Sequence, residues 1–128
     1  MSSLEEQRAV ARAQRKAKRA AGKEGPEDKS LRIATGVLKR LVKELAYNHK
    51  EIAKQKEKIE KYSKDPAYDQ SRLPQERAVL AESEAMVPEV QKKIEVAREK
   101  LEALLSDEAF VAKVTKGLED AKQLLASK

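Results

Sequence analysis

The chain has no cysteine, a single histidine, and only four glycines, four prolines and four aromatic residues among its 128 residues. Without cysteine there is no disulfide framework, no thiolate nucleophile and no cysteine-based metal site. Long apolar runs are missing too, because no stretch approaches the roughly 18 residues of a membrane span and the first residues lack the apolar core of a signal peptide. We therefore expect a cytoplasmic protein.

What the chain does contain is charge, which is carried by 39% of its residues. With so little glycine, proline and aromatic character, this composition is typical of long amphipathic helices in one domain, and no strand is predicted. The net charge of +6 is unevenly placed: residues 29–64 hold eleven basic and four acidic side chains, whereas residues 65–105 hold six and nine. Such a basic segment favours an acidic partner, whether nucleic acid, anionic lipid or protein.

Two series of large apolar residues recur at seven-residue intervals, and each marks one seam of a long helix. The first series is Leu31, Leu38, Leu45, Ile52 and Ile59, and the second is Leu73, Leu80, Val87, Ile94 and Leu101. They predict helices over about 29–63 and 72–105, which the short connection makes antiparallel. Pro88 falls inside the second helix without shifting the repeat, so it predicts a kink rather than a boundary.

A third helix is predicted over 107–126, where apolar residues follow helical spacing: Val111, Val114, Leu118, Ala121 and Leu125. Gly117 should weaken its middle by about 1 kcal/mol relative to alanine. The predicted fold is therefore all-α: an up-down-up antiparallel three-helix bundle over 29–128, rod-shaped, with coiled-coil-like packing and a shorter third helix. Both a monomer and a homodimer remain open.

Inward positions beyond the reach of the third helix are more often polar, as at Asn48, Gln55, Glu76 and Ser83. Burying such groups unpaired costs about 1–3 kcal/mol each, whereas a two-helix region leaves them at the solvent edge. The pattern predicts a body made of residues 31–48, 86–105 and 109–126 and a narrower arm made of residues 49–85. The arm should open first.

Residues 1–28 are alanine-rich and basic and have almost no large apolar side chains. Gly22, Gly25 and Pro26 separate this segment from the helix that follows. We expect a disordered N-terminal extension, with a basic arm for RNA or an acidic partner as the functional alternative.

Catalytic chemistry is not indicated. His49 is the only histidine and lies between Asn48 and Lys50, and the carboxylate pairs on the helices have no histidine partner. The Glu-x-x-His spacing of di-metal bundles is absent as well. We expect a protein that is not an enzyme and that uses no cofactor or metal.

Three segments resemble the tubulin-binding cofactor A family: LRIATGVLKRLVKE at 31–44, KQKEKIEK at 54–61 and ESEAMVPEVQKKIEVA at 82–97. The Thr35-Gly36-Val37 and Met86-Val87-Pro88 steps are the most distinctive, because a generic bundle has no physical need for either. The resemblance covers about residues 29–105 and not the first 28.

The resemblance implies a small chaperone that captures β-tubulin after its release from the cytosolic chaperonin and holds it for assembly into the αβ heterodimer. The resemblance also implies that the protein acts together with other tubulin-folding cofactors, associates with the cytoskeleton and uses no nucleotide or metal. The residues that it makes candidates for partner contacts are Lys39, Arg40, Lys43, Tyr47, Lys50 and Lys54 on the first helix, with Glu82 and Glu84 on the second.

Two alternatives follow from the residues alone. A basic helical protein could bind nucleic acid, although only in a non-specific, salt-dependent mode, because the sequence lacks interleaved aromatics, a groove-reading motif and a zinc site. It could also be a scaffold that docks partner helices.

Overall fold

A computed structural model describes the backbone over residues 2–22 and 24–127, and the side chains over residues 3–15 and 24–127. The described residues form five α-helices, α1 (Ser2–Gly22), α2 (Pro26–Lys64), α3 (Leu73–Ser106), α4 (Glu108–Lys113) and α5 (Leu118–Ala126), and a 3-10 helix at Gln70–Arg72. No strand occurs among them. The predicted all-α class is confirmed, but the described residues form five α-helices where a bundle of three is predicted.

The two long predicted helices correspond to α2 and α3. α2 begins at Pro26, three residues earlier than predicted, because proline suits a first-turn position whose N–H would be unpaired anyway. Glu27 and Asp28 lie in the first turn, and Lys61 and Lys64 lie in the last, so the charges complement the helix dipole at both ends. α3 continues through Pro88 without a break in helical structure.

The connection between α2 and α3 is tied by side chains. The rings of Tyr62 and Tyr68 stack with their centroids 4.1 Å apart and an interplanar angle of 8°. Asp69 Oδ1 accepts a hydrogen bond from the Ser71 backbone N–H at 3.0 Å, and Gln70 Nε2 donates to the Tyr62 carbonyl at 3.1 Å. These contacts fix the tight reversal that sends α3 back along α2.

Contacts at both ends establish that α2 and α3 are antiparallel. Near the connection, Gln55 Nε2 donates to Glu76 Oε2 at 2.7 Å, while at the other end Leu31 and Leu38 share a core cluster with Leu101. Those three leucines, all seam positions, are at most 1% exposed. The other seam residues are covered to different extents. Ile52 and Leu73 are buried, at 9% and 5% exposed, whereas Leu45, Ile59, Leu80, Val87 and Ile94 are only half-buried.

The third predicted helix differs most from expectation. Where one helix is predicted over 107–126, the structure has α4 and α5 separated by four non-helical residues, Val114 to Gly117. Gly117 adopts φ = 94°, a left-handed conformation that disfavours side chains with a Cβ. The apolar periodicity survives the break, because Phe110, Val114, Leu118, Leu124 and Leu125 still pack against the core cluster.

Asp28 holds the break in place. Its carboxylate accepts hydrogen bonds from the backbone N–H of Thr115 at 2.8 Å, from the Thr115 hydroxyl, and from the Lys116 backbone N–H at 3.5 Å. The N–H groups that a continuous helix would have paired within itself are thus satisfied by a residue from the start of α2. Asp28, the last residue before the boundary predicted at 28/29, is 7% exposed and is thus buried in this contact.

The N-terminal segment, predicted from its composition as an extension, forms a helix in the structure. α1 spans Ser2–Gly22. From Ser3 to Arg15 every side chain except that of Ala11 is exposed, including Leu4 and Val10. That residues 1–28 form an extension separate from the bundle stays a prediction.

Candidate functional site

The predicted contact residues of α2 form one continuous surface, which we call the basic face: Lys39, Arg40, Lys43, Tyr47, Lys50 and Lys54. At about 3.6 residues per turn, these six positions fall within roughly 100° of arc on the side of α2 away from its seam. All six side chains are exposed, and Tyr47 most notably at 62%. The structure therefore brings together five cations and one aromatic ring over four turns of a rigid helix.

Lys39 lies at the edge of this face and has a structural partner. Its ammonium forms an ion pair with Asp120 of α5. Both side chains are about half exposed, at 44% and 55%, so the pair adds little to stability, but it directs Lys39 toward α5. Lys39 is therefore the least available of the five cations.

The remaining cations are mostly free within the described part of the chain. Lys54 lies 3.7 Å from Glu51 in a weak i,i+3 pair, with both groups exposed. Arg40, Lys43 and Lys50 form no ion pair with any described residue. Because these cations are unpaired or only weakly paired there, their positive electrostatic potential can attract an approaching acidic surface.

A further cation on the same side, Arg32, is already paired. Its guanidinium contacts Glu24 Oε1 through Nη2 at 2.7 Å and through Nε at 2.9 Å. This hydrogen bond and the accompanying attraction lower the pKa of Glu24 and raise the pKa of Arg32. Arg32 is therefore not counted among the available cations, and the basic face begins at Lys39.

Glu82 and Glu84 do not join the basic face. Both lie exposed on α3, and two residues of helix place them roughly 200° apart, on different sides of α3. No ion pair or hydrogen bond connects either of them to the cations of α2 in the described residues. Their role as partner contacts remains a prediction, separate from that of the basic face.

Two features of the surface are not predicted as sites from the sequence, although Thr35 and Gly36 in the second belong to a step that is distinctive there. One is a groove between α2 and α3 that is lined by lysines of α3. Its signal in the sequence is Val96, an apolar residue that lies outside the seven-residue series. The other lies between α2 and the α4–α5 break, where Thr35 is buried at 7% exposure and its hydroxyl has no hydrogen-bond partner among the described residues. Gly36 beside it faces open space, since an added Cβ would meet no atom within 4 Å.

A cluster of metal ligands and a membrane-spanning helix are both absent from the described residues. No three histidine, aspartate or glutamate side chains come together there as metal ligands. Nor does any helix within residues 2–22 and 24–127 combine the length and the apolar composition needed to cross a membrane.

Comparison with known proteins identifies the relatives of this fold. The sequence profile described as tubulin binding cofactor A matches residues 26–125, starting at the first residue of α2. Tubulin-specific chaperone A of Gallus gallus is 38% identical over 98 residues, a match covering 77% of this chain and 83% of that protein.

Solved structures agree with the sequence matches. The crystal structure of tubulin-binding cofactor A from Leishmania major superposes with a TM-score of 0.63 at 27% identity and covers 81% of this chain and 91% of that one. Tubulin folding cofactor A from Arabidopsis thaliana gives 0.62 at 31% identity, covering 78% and 92%. The chain therefore belongs to the tubulin binding cofactor A family.

Proposed function

We propose that this protein is a tubulin chaperone that captures β-tubulin after its release from the cytosolic chaperonin and holds it for assembly into the αβ heterodimer. The observation that carries the proposal is the basic face, an exposed strip of positive charge on the longest helix of a chain in this family. The names of the relatives, tubulin-specific chaperone A and tubulin-folding cofactor A, give the class of client.

Recognition on this face would combine steering with a central anchor. Arg40, Lys43, Lys50 and Lys54 are exposed, and charges at such positions chiefly raise the association rate and orient the partner. Tyr47 lies between them and offers a large rigid ring, the kind of side chain that dominates binding energy once buried. Between Lys39 and Lys54 the strip is roughly 22 Å long at about 1.5 Å per residue.

The helices packed against α2 support the basic face. We infer that α2, α3 and the α4–α5 pair act as the three limbs of an up-down-up bundle, in which the interrupted third limb braces the N-terminal half of α2. The cytoplasm is the compartment in which such a chaperone would meet newly folded tubulin, with other tubulin-folding cofactors and the cytoskeleton downstream.

Charge reversal tests the proposal. The triple variant K43E/K50E/K54E should lower the affinity for β-tubulin by about tenfold or more at physiological salt, because it replaces attraction by repulsion at three exposed positions. Far-UV circular dichroism should be unchanged, since exposed substitutions usually alter stability by less than about 0.5 kcal/mol each. Capture is measured by co-elution with chaperonin-released β-tubulin on size-exclusion chromatography.

The matched control is R8E/R12E/R15E, which makes the same change in net charge on exposed residues of α1. It should capture β-tubulin as the wild type does. Equal loss in both variants would mean that only the overall charge matters and would contradict the assignment to the basic face. The alternative of nucleic-acid binding is not favoured by the comparisons, and it would gain support if the wild type bound single-stranded RNA and captured no β-tubulin.

A further inference from the structure

Two long helices packed side by side leave a groove on each side of their contact, and only one of these is filled here. α5 approaches α2 on the side of Lys39, which pairs with Asp120. On the opposite side of the seam an open groove runs between α2 and α3, and its floor is apolar: Val37 and Leu41 from α2, with Val96 and Ala97 from α3. Val96 is 51% exposed and Val37 and Leu41 are half-buried, whereas Ala97 is only 7% exposed, so three of these four residues reach solvent.

The rim of the groove is strongly basic. Arg40 contributes from α2, while Lys92, Lys93 and Lys100 contribute from α3, and Glu44 is the one acidic residue in the lining. None of the four cations forms an ion pair with a residue that the structure describes. An apolar floor between uncompensated cations complements a ligand that has an apolar stripe flanked by carboxylates.

We propose that this groove docks an acidic amphipathic α-helix of the client protein. The inference rests on the proposed chaperone function and adds the shape and chemistry of the docked element. Residues 92 to 100 give the basic section a length of about 12 Å, or roughly two helical turns, which fits apolar anchors at i, i+3 or i+4, and i+7. Arg40 belongs both to the groove and to the basic face, so one client could span both surfaces.

Charge argues against other occupants of the groove. α1 holds Arg8, Arg12 and Arg15 among its described side chains against Glu5 and Glu6, so it carries the wrong sign. A second copy that used the same groove would bring like charges together. Single-stranded nucleic acid binds through aromatic stacking platforms, and the lining contains no aromatic residue.

A peptide titration with the full-length protein tests the inference directly. The probe is a fluorescein-labelled 18-residue amphipathic helix with leucine on its apolar face and glutamate on its flanks, followed by anisotropy. V96D should weaken binding by about tenfold or more, because it places a carboxylate on the floor. The control V42D alters a valine of similar exposure, 43%, that does not line the groove, and it should leave the affinity unchanged.

The rim is tested by K92E/K93E/K100E, which should weaken binding of the same peptide by about tenfold or more, against R8E/R12E/R15E as the control of equal charge change. A lysine-flanked version of the peptide should bind at least tenfold more weakly than the glutamate-flanked one. Equal effects of the paired variants, or tighter binding of the lysine-flanked peptide or of single-stranded RNA, would overturn the inference.

A second readout separates this inference from the proposed function. If wild-type protein and both groove variants capture β-tubulin equally well, while K43E/K50E/K54E does not, the chaperone function stands and the groove is not its docking site. If the wild type captures no β-tubulin, the proposed function fails and the groove loses its client. Loss of capture in V96D with retention in V42D supports both.

Discussion

Asp28 contributes to the fold by accepting hydrogen bonds from N–H groups that have no partner within their own segment. Its carboxylate accepts hydrogen bonds from the side chain and the backbone of Thr115, and from the Lys116 backbone N–H. These bonds favour the charged form and lower the pKa of Asp28 below its usual range, the Thr115 hydroxyl having the largest effect. The buried carboxylate thereby connects the start of α2 to the break between α4 and α5.

Asp28→Asn should therefore lower the melting temperature by roughly 5 °C at pH 7, because the amide offers one acceptor oxygen and places an N–H donor near other donors. The control Glu95→Gln makes the same carboxylate-to-amide change at an exposed position in the middle of α3 and should have no effect. Differential scanning calorimetry measures both. Equal melting temperatures for wild type and Asp28→Asn would show that the carboxylate is dispensable.

The lowered pKa also fixes the pH dependence. A carboxyl whose folded-state pKa lies below its unfolded value of about 3.9 contributes its full stabilisation above that value and loses it as the pH falls through the folded-state pKa. The difference between wild type and Asp28→Asn should thus be constant from pH 7 to about 5 and shrink below about pH 4. A difference that persists undiminished at pH 3 would assign the effect to packing instead.

At the scale of single elements, the interrupted third helix separates what sequence can and cannot predict. Of the five positions that the apolar spacing names from Val111 to Leu125, all but Val111 lie in the core cluster or pack against it. It does not predict the break at Val114 to Gly117, because the partner of the freed N–H groups is Asp28, more than 80 residues away in sequence. Sequence patterns report local periodicity, whereas this break depends on a long-range hydrogen bond.

The two long helices are easier to predict, because their apolar seams are local patterns in the sequence. Their seams repeat every seven residues, and the most buried leucines, Leu31, Leu38 and Leu101, are all seam positions. The basic face on α2 also follows from periodicity alone, since helical spacing collects exposed positions on one side. The groove lined by Val96 and Lys93 does not, because it exists only once α3 is packed in register against α2.

Substitution by alanine should have opposite effects on stability at Gly36 and at Gly117. Gly117→Ala places a Cβ on a residue with φ = 94°, at an ordinary 3.5 Å from Leu31 Cδ2, so the backbone strain of about 1–2 kcal/mol should appear as a loss of stability. Gly36→Ala lies mid-helix with open space around its Cβ and should stabilise by about 0.5–1 kcal/mol.

Urea denaturation of the two variants measures both signs against the wild type. Because each variant adds the same methyl group, changes in hydrophobicity are matched and the backbone conformation is what differs. Stabilisation by Gly117→Ala would mean that the α4–α5 connection adopts a right-handed conformation in solution, contrary to the structure.

At the scale of the whole molecule, stability should be graded along the long axis of α2 and α3. The core cluster around Leu31, Leu38 and Leu101 draws on α2, α3, α4 and α5, but its members lie only within residues 31–41, 94–105 and 110–125. Toward the α2–α3 connection, α2 and α3 chiefly cover each other. There the inward polar pair Gln55 and Glu76 is hydrogen-bonded at 2.7 Å instead of lying apart at the solvent edge.

This gradient predicts a difference in hydrogen exchange along single helices. Amides of residues 53–62 in α2 should exchange at least about tenfold faster than those of residues 32–41 in the same helix, because opening the end near the connection exposes less apolar surface. Gln55→Ala should widen that ratio by removing the hydrogen bond to Glu76 while leaving residues 32–41 unaffected, whereas Lys56→Ala, at an exposed neighbouring position, should not. Native-state exchange followed by NMR resolves these amides individually. Uniform protection from residue 32 to residue 62 would mean that α2 opens only with the whole molecule, and the graded core would then have no consequence for its dynamics.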